Sequence, residues 1–322
     1  MKASNIITAA CIAGSLLFTS TTVLAKVYKV AVSQIVEHPA LDSTRQGLLD
    51  GLKKKGFVEG KNLEFVYQTA QGNTAIAVQI ARQFVGEEPD VLVGIATPTA
   101  QALVAATRKI PVVFTAVTDP LGAKLIKNID KPGGNVTGLS DLSPVAQHVD
   151  LILEIMPNVK SIGVVYNPGE SNAVTLVKLL KDAAAAKGLK VIEAIALKSA
   201  DVQSATQIIV EKSDVIYAAV DNTVASAIDG MIVAANMAKT PVFGGSTTYI
   251  ENGAYAALGF DYYQVGLQTA DYVAAILNGK KPGDLAVKVA EGSDLVLNKK
   301  AAAKLGITFP DSVKSRATKI VE

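Results

Sequence analysis

The chain of 322 residues has no tryptophan, two histidines and one cysteine, Cys11, which falls in an N-terminal apolar stretch. Beyond that stretch there is no thiol, which excludes disulfides, thiolate metal sites and a cysteine nucleophile and suits an oxidising compartment. An excess of charge is missing too: 31 basic against 29 acidic side chains leave +2. So balanced a chain has no electrostatic demand for nucleic acid or an anionic membrane as partner. After residue 25 no apolar run approaches the ~18 residues of a membrane span. Gly-x-Ser-x-Gly, Walker A and Gly-x-Gly-x-x-Gly are all missing, and no clustered metal ligands are visible. His148 lies in the apolar helical stretch "AQHVDLILEIM" and reads as a core residue. The sequence describes a binder without cofactor or metal, and not a catalyst.

What is present begins with an export signature. Lys2 gives a positive start, Ile6 to Phe18 is apolar and small, and Val23-Leu24-Ala25 has the small residues of a cleavage site. The expectation is a cleaved secretory signal over residues 1–25, with 322 − 25 = 297 residues remaining. "TAAC" comes too early for Cys11 to be a lipidated first residue. About 300 strongly apolar residues argue for two domains.

The remainder alternates short Val/Ile-rich runs with helical stretches of 10 to 18 residues, the pattern of βαβ units and a parallel sheet. "YKVAVSQI", "LEFVYQT", "DVLVGI" and "IPVVFTAV" form one set. After Ser161 the plan restarts with "SIGVVYN", "LKVIEAI", "DVIYAAV" and "TPVFGG". Asp90 to Thr97 lies over Asp214 to Asp221 without a gap, and Pro111 over Pro241. The fold class is therefore α/β, with two similar doubly wound parallel-sheet lobes facing each other across a ligand cleft. "KPGGNVTGLSDLS", Lys131 to Ser143, has the composition of a linker. The expected division is 26–138 plus about 250–280 for lobe 1, and 139–249 plus about 281–322 for lobe 2, with three crossings.

In open parallel sheets the ligand sits beyond the carboxyl ends of the strands. Lobe 1 delivers Ser33 and Gln34, then Thr97, Pro98 and Thr99, then Thr115; lobe 2 delivers Asn167, then Asp221 and Asn222, then Ser246 and Thr247. Thr97 is expected to cap a helix with Pro98 in its first position. Capping alone explains any one of these residues. The informative item is the internal alignment, which sets Thr97 opposite Asp221. Hydroxyls and N–H groups on one wall and a carboxylate on the other suit a ligand with both a carboxylate and an ammonium, and an α-amino acid is the simplest. His38, after the first strand, is a candidate to border the cleft. Asp119 and Asp261 are helix caps first and both candidates to touch the ligand, and of Tyr262 and Tyr263 one is a candidate for the cleft.

"GFVEGKN" at Gly56 to Asn62 and, above all, "DPLGAKLIKNIDKPGGNVTG" at Asp119 to Gly138 resemble the ABC-transporter substrate-binding family that includes tryptophan and tyrosine binders. The similarity runs from about Lys29 to Asp311. It implies a type I periplasmic-binding fold that closes on a small ligand, in characterised relatives an aromatic amino acid, and delivers it to an ABC permease in the inner membrane. It also implies a carboxylate held at Thr97 and an ammonium at Asp221 with Asn222. One ligand between two lobes needs only a monomer. A sugar or nucleoside on the same fold, a chemosensory receptor role and an exported enzyme stand as alternatives.

Overall fold

The computed structural model describes residues 26–322, and the expected export segment lies outside them. The chain first runs through β1 (Tyr28–Gln34), α1 (Pro39–Lys54), β2 (Leu63–Thr69), α2 (Thr74–Gly86), β3 (Val91–Ile95), α3 (Thr97–Ala106), β4 (Val112–Val117) and β5 (Val136–Ser140). It then crosses into α4 (Val145–Ile155), β6 (Ser161–Tyr166), α5 (Ser171–Ala186), β7 (Lys190–Ile195), α6 (Val202–Val210), β8 (Val215–Ala218), α7 (Asn222–Ala225), α8 (Ile228–Ala238), β9 (Val242–Gly244), α9 (Tyr249–Asn252) and β10 (Ala256–Gly259). It returns as α10 (Tyr262–Leu277) and β11 (Lys288–Val289), then leaves again for β12 (Asp294–Asn298), α11 (Lys299–Lys304), α12 (Asp311–Lys314) and β13 (Lys319–Val321).

The first sheet has the order β11-β5-β4-β3-β1-β2 and the second β13-β12-β10-β9-β8-β6-β7. Without the late additions, the orders 5-4-3-1-2 and 10-9-8-6-7 are the same doubly wound plan. In each, the order reverses beside the first strand of the lobe, and the loops that part there open a crevice at the strands' carboxyl ends. Residue chemistry sets which strands lie inside. "VLVGI" of β3 and "VVFTAV" of β4 are buried throughout, as strands covered on both faces must be, whereas β7 at the edge is mostly exposed or half-buried. The repeat extends to single braces. Asp90 before β3 accepts the Lys29 N–H at 2.8 Å, and its counterpart Asp214 accepts those of Lys160 and Ser161 at 2.8 and 2.9 Å.

Three boundaries differ from expectation. The stretch that reads as a linker contains β5, whose Val136 and Leu139 are buried beside β4. Residues 256–259 of the presumed return to lobe 1 are β10, which pairs with β9 and β12 in the second sheet; only the helix after it returns. Conversely β11, expected in lobe 2, pairs with β5 in lobe 1. The return is fixed by packing of α10 on α1. A Cβ on Gly47 would stand 2.1 Å from the Tyr263 carbonyl oxygen, and one on Gly266 2.2 Å from that of Thr44. Only glycine lets the two backbones approach so closely.

Candidate functional site

On the lobe 1 wall, α3 begins directly after β3. Its cap position is Ala96, which has no side chain to accept the first N–H groups, and Thr97 is the first helical residue with Pro98 next. The expected Thr97 cap is thus replaced by a bare helix end. Ala96 has φ 77° and ψ 158°, a region essentially reserved for glycine that costs about 1–3 kcal/mol in any other residue. Ala116, beside the bulge that interrupts pairing of β4 with β5, has φ 51°. Strained backbone of this kind clusters at active sites and ligand clamps, and here it falls at the ends of two adjacent strands. Thr97 is 1% exposed and its Oγ1 has no hydrogen-bond partner, nor does the buried Ser33 Oγ. Free N–H groups at the start of a ten-residue helix, with its dipole behind them, suit an anion.

The lobe 2 wall treats the matching place in the opposite way. Asp221 caps α7, accepting the Val224 N–H at 2.9 Å on one oxygen and the Asn167 N–H at 2.7 Å on the other. Glu170 accepts from Asn222 N, Thr223 N, Thr223 Oγ1 and the side-chain amides of Asn222 and Asn172. The helix end is closed by two buried carboxylates. Desolvation by burial, and after it the charge of Glu170, push the Asp221 carboxyl up from 3.8 to about 8.

A third acid, Asp141, follows β5 at the first crossing and is 2% exposed. It accepts from Tyr262 Oη at 2.8 Å and Thr118 Oγ1 at 3.3 Å. Burial raises its carboxyl above the usual range, although those two hydroxyls pull it down. Among the described residues none of the three acids forms an ion pair. Asp141 and Asp221 line a cavity between the lobes together with His38, Ala116, Thr118, Asn172, Asn222 and Tyr262. Its volume is about 10 Å³, the room of roughly one water, so the lobes must part to admit anything larger. His38, from lobe 1, faces the Asn222 side chain across it, and burial lowers the imidazole to about 4, leaving it neutral at pH 7. His38 Nε2 and Asn172 Oδ1 lack partners.

Of the residues singled out in the sequence, His38, Asp221 and Asn222 line this cavity, with Tyr262 beside them, while Thr97 and Ser33 present unpartnered hydroxyls at the ends of β3 and β1. The others do structural work. Gln34 turns the opposite way from Ser33 and bonds Val36 O and Asp42 at 2.9 Å. Thr99 returns its hydroxyl to Ile95 O at 2.6 Å, and Thr115 meets Thr269 of α10 at 2.7 Å. Asn167 gives its side-chain amide to Thr223 and Leu197 O. Ser246 meets Thr248, and Thr247 bonds Phe260 O; Thr247 and Asp261, the cap of α10, face a separate outer groove. His148 is a core residue, its Nδ1 2.9 Å from Tyr217 Oη. Asp141, Glu170, Asn172 and Thr118 escape the sequence reading. Asp141 looks like part of a linker, and Glu170 sits four residues past the end of β6, which already had a candidate in Asn167.

Residues 29–321 match the model of the family described as ABC transporter substrate binding protein. The chain is 35% identical over 84% of its length to the tyrosine-binding protein of Clostridioides difficile, covering 78% of that protein. A crystal structure of a conserved domain protein from Vibrio cholerae O1 biovar eltor is 77% identical, with a TM-score of 0.91 over 92% of this chain and 100% of that one. An ABC domain from Streptococcus pneumonia in complex with L-Trp is 36% identical, with a TM-score of 0.89 over the same shares. A score that high across both lobes means that the two lobes sit relative to each other nearly as they do in that structure. By sequence and by fold, the chain belongs to the ABC transporter substrate-binding protein family.

Proposed function

We propose that the protein works outside the cytoplasm as a monomeric solute-binding protein, capturing an aromatic α-amino acid between its lobes and handing it to an ABC permease in the inner membrane. The observation that carries this reading is the unlike treatment of two equivalent helix starts. The α3 end is uncapped, with the Thr97 hydroxyl unpartnered; the α7 end is occupied by Asp221 and Glu170. A carboxylate fits the first, and the buried acids beside the second and at the first crossing, Asp221, Glu170 and Asp141, offer a cation partners to pair with. One zwitterion satisfies both. The aromatic side chain is supported by the relatives, one named for tyrosine and one holding L-Trp.

The test is a melting scan of unfolded and refolded protein against the twenty amino acids, sugars and nucleosides. Ligand at about 100 times its dissociation constant adds roughly 2.7 kcal/mol. A shift with phenylalanine, tyrosine or tryptophan is expected. Silence across all amino acids, with a shift from a sugar or nucleoside, would keep the family and overturn the ligand class.

A further inference from the structure

Three acids press on the cleft, and they differ in how much of their hydrogen-bonding capacity is spent. Asp221 has a backbone N–H on each oxygen. Glu170 takes donors from Asn222, Thr223 and Asn172 and is not part of the cavity lining. Asp141 lines the cavity and accepts one hydroxyl on each oxygen, the Thr118 bond being long at 3.3 Å. A carboxylate has about four acceptor sites, so Asp221 and Asp141 each keep room for a further donor, and the long Thr118 bond leaves Asp141 the more weakly engaged of the two. The acids are not the only sign of a ligand there: His38 Nε2 and Asn172 Oδ1 belong to side chains 7% and 4% exposed, line the same cavity and have no partner.

We infer that Asp141, and not Asp221, receives the α-ammonium of the ligand, and that Tyr262 is a positioning residue that holds the Asp141 carboxylate toward the cavity. This rests on the amino-acid reading above. Asp141 follows β5 at the first crossing and Tyr262 opens α10 after the second, so their hydrogen bond joins two of the three connections between the lobes. A cation arriving on Asp141 is therefore held at the hinge, on the lobe 1 side, where it can be bound before lobe 2 closes over it. The same contact selects an α-amino acid over the α-hydroxy acid of identical shape, which has no charge to offer the carboxylate.

The groups that face this acid are few. Tyr262 comes from α10, Thr118 from the end of β4, His38 from the start of α1, Asp221 and Glu170 from lobe 2, and Tyr249 from α9. His38 is neutral at pH 7, and burial raises the phenols of Tyr249 and Tyr262, which stay protonated donors. Tyr262 lowers the Asp141 carboxyl against the pull of burial. Removing its hydroxyl therefore moves the ionisation of Asp141 to higher pH.

The experiment is titration calorimetry with L-phenylalanine, L-tyrosine and L-tryptophan, each beside its α-hydroxy acid, across a range of pH. Wild type is expected to prefer the amino acid by about a hundredfold or more, as fits a buried charge pair. Asp141→Asn should reduce that preference to within about threefold by losing affinity for the amino acid alone, a larger loss than Asp221→Asn causes. Tyr262→Phe should raise the pH midpoint of amino-acid affinity, a displacement that a packing defect would not cause. If Asp141→Asn does not fold, the Tyr262→Phe profile decides. Retained preference in Asp141→Asn, an unmoved midpoint in Tyr262→Phe, or a larger loss of preference in Asp221→Asn than in Asp141→Asn overturns the assignment. Wild type that binds none of the three amino acids overturns the ligand class itself, before any variant is made.

Discussion

At the residue scale, the start of α3 carries a polar atom that the fold leaves unsatisfied. A buried hydroxyl without a partner costs about 1–3 kcal/mol, so Thr97 Oγ1 is kept at the expense of the ligand-free state. Thr97→Val is therefore expected to weaken ligand binding about tenfold or more without lowering the melting point of ligand-free protein. Calorimetry and a thermal scan check the two halves; a fall in both would make Thr97 a structural residue. The sequence singles out Thr97 because an internal repeat sets it against Asp221, an acid in the equivalent place. Ser33 and Gln34 show where reading by residue type stops. Adjacent residues of a strand point to opposite faces, and only packing shows that Gln34 turns toward Asp42 near the start of α1 while Ser33 does not. Asp141 could not be read at all, since its position depends on where two crossings meet in space and not on its neighbours in "GLSDLS".

At the element scale, the number and order of strands followed from apolar runs, but lobe membership did not. The four residues of β10 stay with the second sheet and α10 leaves it two residues later, because the glycines Gly47 and Gly266 give α1 a matching face. Gly266→Ala should consequently overpack the α1–α10 contact and destabilise lobe 1 by about 1–3 kcal/mol, read as a lower urea midpoint. An unchanged midpoint would mean that the two helices can separate at little cost. The start of α3 makes the opposite prediction. Ala96→Gly relieves a conformation worth about 1–3 kcal/mol and returns roughly 0.5–1 kcal/mol to unfolded-chain entropy. Ala96→Gly should thus raise stability or leave it level, and Ala96→Val should lower it, as chemical denaturation of both variants would reveal.

At the scale of the whole molecule, closing the lobes buries acids that must either hold a proton or pair with a cation, and this ties lobe position to pH. The Asp221 carboxyl lies at about 8 in the closed structure, against 3.8 for the free group. Between those values the closed chain holds a proton that the unfolded chain has lost. Stability from this group is thus fully present below the unfolded value and is lost as pH rises through the folded one. Parting the lobes lets water reach the acids and relieves the same penalty. Ligand-free protein should therefore melt lower, and scatter X-rays with a larger radius of gyration, at about pH 8 than at about pH 5. An ammonium bound among the acids offsets their repulsion, so ligand-saturated protein should lose less over the same range. The gain in melting temperature on adding ligand then grows with pH; each ~1 kcal/mol moves the midpoint by about 2–4 °C in a domain of 150–250 residues. A gain that stays constant from acid to alkaline pH would show that closure does not depend on pairing these carboxylates, and would leave helix α3 and the Thr97 hydroxyl as the main grip on the ligand.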